Sequence, residues 1–217
     1  MKYTLAVFDL DGTILDTLDD LANSLNHALA HHGYPTRTRT EVRRFVGNGI
    51  AKLIARGVPE GTAEEKTKQV HETFTEHYAV HCADNTKPYD GILALLRDLR
   101  TEGLKTAVLS NKADYAVQSL CEQYFPSLFD AAAGEKEGIR RKPAPDGVNA
   151  VLEAVGIDRG QAVYIGDSEV DIETAKNAGM DCIIVDWGFR DRGFLKDSGA
   201  DVIVSTPDEL KALLLAE

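Results

Sequence analysis

Short apolar runs alternate with helical patterns along this chain, and that alternation limits what it can fold into. The runs fall at 3–8, 106–109, 128–132, 162–165, 182–185 and 201–204. They are apolar throughout rather than at every second residue, which suits strands covered on both faces. Between them, Ile92, Leu95, Leu96 and Leu99 follow helical spacing up to a stop at Gly103. Val148, Val151, Leu152 and Val155 repeat the pattern and stop at Gly156. Thr206-Pro207-Asp208-Glu209 has the form of a capping box with proline at the first helical position. Strands alternating with helices predict an α/β fold built on a doubly wound, Rossmann-like parallel sheet.

Residues 15–86 break the alternation. Leu18, Leu21, Leu25 and Leu29 mark an amphipathic helix from near Thr17 to Gly33. Helical patterns follow at 41–46, 50–55 and 63–78, with no strand pattern among them. The segment reads as a helical cap inserted after the first strand, with 84–90 as the return linker. The expected domains are a discontinuous core, 1–14 with 87–217, and a cap, 15–86.

With 217 residues and 43% hydrophobic content, the chain can bury a sizeable core. Its net charge of -11 argues against a nucleic-acid surface, which would be basic. No apolar run approaches the roughly 20 residues of a membrane span. Asp9, Asp11 and Asp16 fall where a signal peptide would need to stay apolar, so a cytoplasmic protein is expected. Cys82, Cys121 and Cys182 are odd in number and have no CxxC spacing, which suits free thiols. Nothing in the sequence separates a monomer from a homodimer.

Open α/β sheets bind ligands beyond the carboxyl ends of their strands. The first run is followed by Asp9-Leu10-Asp11-Gly12-Thr13, the second by Ser110-Asn111-Lys112, and the fourth by Gly166-Asp167-Ser168-Glu169-Val170-Asp171. One polar strand end is ordinary; three, two of them rich in Asp, are not. Asp9, Asp11, Asp167 and Asp171 converging there would repel one another, and a hard divalent cation such as Mg²⁺ resolves the conflict. Asp9 suits a carboxylate nucleophile and Asp11 an acid/base. Gly12 permits a sharp turn that brings backbone N–H groups near a phosphate. Ser110 can donate to a phosphoryl oxygen with help from the Asn111 backbone. Lys142, in Arg140-Arg141-Lys142-Pro143, supplies a compensating cation.

These residues resemble, in order, the four motifs of the haloacid dehalogenase-like superfamily: Asp9-x-Asp11-Gly12-Thr13, Ser110, Lys142, and Gly166-Asp167-x-x-x-Asp171. The resemblance covers the whole chain and includes a helical cap after the first motif. It implies Asp9 as nucleophile and Asp11 as acid/base. It implies Mg²⁺ held by the Asp9 side chain, the Asp11 carbonyl and Asp167, with Asp171 and Ser168 behind them. An acid/base aspartate at position 11 argues for phosphate chemistry over dehalogenation. The stretch Val46-Gly47-Asn48-Gly49-Ile50 through Arg56, with Asp16-Thr17, resembles the cap loop of phosphoglycolate phosphatases. That likeness adds Thr17, Gly47, Asn48, Gly49 and Arg56 to an expected substrate-binding set that already holds Gly12, Thr13, Ser110 and Asn111.

The expected activity is therefore Mg²⁺-dependent hydrolysis of a small phosphate monoester, 2-phosphoglycolate, through an aspartyl-phosphate. The alternatives are a pyrophosphatase, a sugar-phosphate phosphatase, a phosphomutase, and a non-catalytic binding protein on the same fold. His27 with His31, and His77 with His81, have the i,i+4 spacing of metal ligands. Both pairs lack the rest of a zinc motif and read as solvated helix faces. Lys52 reads as a surface lysine, and Trp187 and Phe189 as packing residues near the site edge.

Overall fold

A strand buried on both faces needs a hydrogen-bonded neighbour at each edge and cover above and below. A computed structural model describes residues 2–47 and 49–216. Its elements run β1 (Leu5–Phe8), β2 (Leu15–Asp16), α1 (Leu18–His31), α2 (Arg39–Phe45), α3 (Ile50–Gly57), α4 (Glu64–His81), β3 (Lys87–Pro88), α5 (Ile92–Thr101), β4 (Lys105–Ala113), α6 (Asp114–Tyr124), β5 (Ala131–Glu135), α7 (Asp146–Val155), β6 (Ala162–Gly166), α8 (Glu169–Ala178), β7 (Asp181–Val185), α9 (Arg192–Asp197), β8 (Ile203–Val204) and α10 (Pro207–Leu215). The chain divides into two compact units, Met1–Leu15 with Pro88–Glu217, and Asp16–Lys87.

The first unit carries a six-stranded sheet in the order β5-β4-β1-β6-β7-β8, with every pair parallel. From β1 the chain builds outward through β4 and β5, then crosses to β6, β7 and β8. The order reverses beside β1, so the carboxyl end of β1 lies at the topological switch point. All four β1 residues are buried. Leu5 and Val7 join Leu109 and Tyr164, with Val148 and Val151 of α7 and Ala175 and Ala178 of α8, in one buried cluster. Each large aliphatic side chain buried there stabilises the sheet by about 1.5–3 kcal/mol.

The second unit is helical. α1 packs against α4 through residues such as Leu25, Leu29, Val70 and Phe74, all fully buried. α2 opens with a capping box: Thr38 N–H donates to Glu41 Oε2 at 2.8 Å, and Glu41 N–H donates to Thr38 Oγ1 at 3.3 Å. Asp20, only 1% exposed, accepts from Asn85 N and Nδ2 and from Thr86 N and Oγ1. That carboxylate ties the first turn of α1 to the segment after α4.

Several sequence-based expectations are corrected. The run at 128–132 is not a strand from its start; β5 covers Ala131–Glu135. The chain turns at 126–127, where Ser127 has a φ of 61°, and Asp130 directs its carboxylate back to Thr106 N at 3.0 Å, so the strand begins only after it. The run at 106–109 does not end at Leu109. β4 continues to Ala113 with a register shift between Leu109 and Ala113, which keeps Ser110, Asn111 and Lys112 inside the strand. Residues 15–86 carry no strand pattern, yet Leu15–Asp16 pairs with Lys87–Pro88 as a two-stranded ribbon. Two residues are too few for a period of two to register. The histidine pairs are not simply solvated: His77 stacks on His27 at 4.0 Å and on His81 at 4.3 Å between ring centroids.

Candidate active site

Strand register brings the acidic residues together. Phe8 pairs with Val108 on one side and Ile165 on the other. The residues just beyond, Asp9, Leu109-Ser110 and Gly166-Asp167, therefore emerge side by side. Asp9 N–H still reaches the Ile165 carbonyl at 2.8 Å, so the nucleophile candidate is pinned by the last rung of the sheet. Asp9, Ser110, Lys142, Asp167 and Asp171 are all buried.

Lys142 organises the centre. Its ammonium lies 2.9 Å from Asp9 Oδ1 and donates to Asp171 Oδ1 at 2.8 Å and to the Tyr164 hydroxyl at 3.0 Å. Asn111 fixes the lysine's backbone in both directions: Lys142 N–H donates to Asn111 Oδ1 at 2.8 Å, and Asn111 Nδ2 donates to the Lys142 carbonyl at 3.0 Å. Asn111 thus engages Lys142 through its side chain, where the sequence suggested only its backbone. The other Asp171 oxygen, Oδ2, accepts from Asp167 N, Ser168 N and Ser168 Oγ, at 3.2, 3.1 and 2.7 Å. Asp171 is thereby occupied in holding other groups.

Burial pushes the Asp9 carboxyl up to about 7, with Lys142 pulling back and Asp171 and Asp11 adding to the rise. Burial, then Asp171 and Asp9, also hold Asp167 well above the usual carboxylate range. Burial alone would lower the Lys142 pKa, but Asp171 and Asp9 outweigh it and keep it an ammonium. The protein therefore carries an excess of buried acid that its own cations leave uncompensated.

Among the described residues, Asp9, Asp167 and Asp171 form the group whose ligand atoms lie within 4.8 Å of one another. Oxygen donors of this kind fit a hard divalent cation. The surroundings fit as well. Gly12 has a φ of 86°, and a Cβ there would overlap Asp167 Oδ2 and the Phe189 ring. A Cβ on Gly188 would overlap the same Asp167 oxygen and the Gly12 carbonyl. Phe189 N–H donates to Asp167 Oδ2 at 2.6 Å, so the loop after β7 aims this carboxylate.

The remaining expected residues separate into two groups. In the first unit, Ser110 Oγ accepts from Lys112 N at 3.2 Å, and the Thr13 hydroxyl is buried with no partner among the described residues. Trp187 donates from its indole to the Thr13 carbonyl at 3.0 Å. In the second unit, the Thr17 hydroxyl is likewise buried and unpartnered among the described residues. Arg56 donates to the Phe45 carbonyl at 2.7 Å and the Gly47 carbonyl at 3.3 Å, bracing the loop before α3. Gly47 and Gly49 both have positive φ, 113° and 84°. Lys52 is exposed, and Asn48 lies outside the described residues. Burial pushes the Cys121 thiol up to about 12, which makes it a poor nucleophile at neutral pH.

Sequence reasoning missed the roles of Lys112, Tyr164 and Gly188. Lys112 donates to Asp11 Oδ1 at 3.0 Å and Oδ2 at 3.3 Å. Tyr164 is masked by its apolar run, although a tyrosine in a fully buried strand signals a polar tip needing a partner.

A carboxylate at a switch point, a buried lysine facing it and a second acidic loop beside them form a polar centre at the carboxyl edge of an α/β sheet, where such folds place their active sites. Residues 6–185 match the family model described as haloacid dehalogenase-like hydrolase, and the chain belongs to that family. Phosphoglycolate phosphatase of Mesorhizobium japonicum is 34% identical over 199 residues, covering 88% of this chain and 86% of that protein. A solved structure from Lactobacillus delbrueckii subsp. bulgaricus, described as a candidate phosphoglycolate phosphatase, is 43% identical, with a TM-score of 0.96 and complete coverage of both chains. CbbY from Rhodobacter sphaeroides, solved in complex with phosphate, is 26% identical, with a TM-score of 0.76 and 96% coverage of each chain. The chain is accordingly an enzyme, a hydrolase of the phosphatase type. No helix among the described residues is long and apolar enough to cross a membrane.

Proposed function

We propose that this enzyme hydrolyses a small phosphate monoester, 2-phosphoglycolate, through an aspartyl-phosphate on Asp9, and that it requires Mg²⁺. The observation that carries the reading is the Lys142 ammonium bridging Asp9 and Asp171 beside Asp167. Asp9 Oδ1 is held by Lys142 and by the Leu10 N–H at 2.7 Å, which fixes the carboxylate for attack on phosphorus. The P–O bond to the leaving alcohol breaks with its electron pair, and the alcohol oxygen takes a proton from Asp11. Water then attacks phosphorus and gives a proton to Asp11, and the Asp9 carboxylate is released. Ser110 and the backbone around Gly12 bind the phosphoryl oxygens. Mg²⁺ held by Asp9, the Asp11 carbonyl and Asp167 would supply charge neutralisation between nucleophile and phosphate.

The substrate follows from the relatives' names and from the loop at 47–49 of the second unit. Gly47 and Gly49 both have positive φ, as a Gly-x-Gly turn suited to a small carboxylate requires, and Arg56 donates to the Phe45 and Gly47 carbonyls. The test is a panel of phosphoglycolate, pyrophosphate and several sugar phosphates, assayed with Mg²⁺ for released phosphate. Phosphoglycolate should give the highest kcat/KM. Preference for a sugar phosphate or pyrophosphate would overturn the substrate, and no turnover of any ester would overturn the activity.

A further inference from the structure

Lys112 has no part in the mechanism above, yet it is only 8% exposed and its ammonium grips both oxygens of Asp11. A buried lysine is costly unless its charge is paired. Such a pair seldom adds stability over an apolar alternative, so its retention calls for another reason. The placement suggests one. Lys112 lies within the register shift of β4, where its backbone N–H donates to the Ser110 hydroxyl while its side chain spans to the first loop. One residue therefore couples the phosphate-binding serine to the carboxylate two positions after the nucleophile.

We propose that Lys112 is a positioning residue for the acid/base Asp11, an inference that rests on the phosphatase reading. Asp11 stands on a turn leaving β1, its side chain is 20% exposed, and Lys112 holds both of its oxygens. The two-oxygen contact with an anchored ammonium sets the plane of the group; when Asp11 carries its proton, one oxygen stays with Lys112 and the other presents the proton to the leaving oxygen. The leaving alcohol must receive its proton along a defined line as the P–O bond breaks, and proton transfer by a positioned group contributes about 10²–10⁴-fold.

The test uses leaving groups. The parameter kcat/KM reports the steps up to departure of the alcohol, and p-nitrophenolate departs without a proton whereas an alkoxide does not. The full-length enzyme, with Mg²⁺, is assayed on p-nitrophenyl phosphate and on the alkyl phosphate that the wild type hydrolyses best. In Lys112→Met the ratio of alkyl to aryl kcat/KM should fall about tenfold or more, as it should in Asp11→Asn, and Lys112→Arg should recover part of it. Equal losses on both esters would make Lys112 merely structural and overturn the proposal, as would an unchanged ratio. A rise in KM confined to the alkyl substrate, with kcat kept, would assign Lys112 to substrate binding and also overturn it. If K112M does not fold, K112R is read alone: its wider fork displaces the contact, and the ratio should again fall. A wild type inactive on every ester would instead defeat the phosphatase reading itself.

Discussion

The Lys142 ammonium stands 2.9 Å from Asp9 Oδ1, and both groups are buried. The carboxylate proposed as the nucleophile thus lies in a place where its charge is disfavoured, and one lysine shared with Asp171 offsets only part of the penalty.

Replacing Asp9 with Asn should separate activity from stability. Burial raises the Asp9 pKa to about 7 from its usual 3.8, so the metal-free folded state holds this proton more tightly than the unfolded chain. That contribution is present below about pH 3.8 and is lost as pH rises through about 7. At pH 8 in chelator, where the wild type bears the charge, Asp9→Asn should melt no lower than the wild type. Its turnover with Mg²⁺ should fall by about 10³-fold or more, because an amide is a poor nucleophile. Thermal melts and phosphate release check the two halves independently.

Lys142 should behave oppositely on stability. Lys142→Met leaves Asp171 Oδ1 and Asp9 without their shared cation in a dry site, and breaking a buried pair costs about 3–5 kcal/mol. Urea unfolding should show that loss together with loss of turnover.

What can be read in the sequence depends on length scale. The parallel sheet is readable because an apolar run too short for a helix fits little besides a buried strand. Asp9, Ser110, Lys142 and Asp167 are readable because each follows such a run or carries the needed charge. Their partners are not readable. Lys112 reaches Asp11 across 101 positions from within the register shift of β4, and neither the contact nor the shift has a sequence signal. Gly188 looks like any turn glycine until Asp167 Oδ2 is found where its Cβ would stand. The histidine stack joins two helices whose facing angle no periodicity records.

Asp20 offers a test within the helical unit. Four donors from Asn85 and Thr86 converge on its buried carboxylate. Asp20→Ala removes the charged acceptor these donors share, leaving the Thr86 hydroxyl with the Cys82 carbonyl at 3.0 Å, and hydrogen bonds to a charged group contribute about 1.5–3 kcal/mol each. Denaturant unfolding should show a loss of about 3 kcal/mol or more, with increased protease cleavage near 82–87.

The stacked histidines predict acid sensitivity. Burial, then His27 and His81, lower the His77 pKa from its usual 6.5, while Asp84 opposes them. As pH falls through about 6.5 the unfolded chain takes up a proton first. Stability is therefore fully present above that pH and drops between it and the lower folded value. His77→Gln keeps a polar group near Ser24 Oγ, 2.9 Å from His77 Nδ1, without the titration. Between about pH 7.5 and 5.5 the wild-type Tm should fall further than that of the variant; parallel curves would remove His77 as the cause.

The loop after β7 gives the most direct test of the cation site. Gly188 allows the Gly12 carbonyl and Asp167 Oδ2 to lie against its backbone, and Phe189 N–H holds that same oxygen at 2.6 Å. Gly188→Ala must displace either Asp167 or the loop, because the methyl group would occupy the oxygen's position. The fold should survive, since the displaced groups lie at the carboxyl edge of the sheet and not in the cluster around Val7 and Tyr164. Misplacing a supporting group around a metal ligand typically costs about 10–100-fold in affinity. Activity of the wild type should vanish in EDTA and return on adding Mg²⁺. The Gly188→Ala enzyme should require about 10–100-fold more Mg²⁺ for half-maximal rate, and Mg²⁺ should raise its Tm less than that of the wild type. A variant with unchanged Mg²⁺ dependence in both measurements would show that the loop gives way without disturbing the cation site, or that Asp167 does not hold the cation.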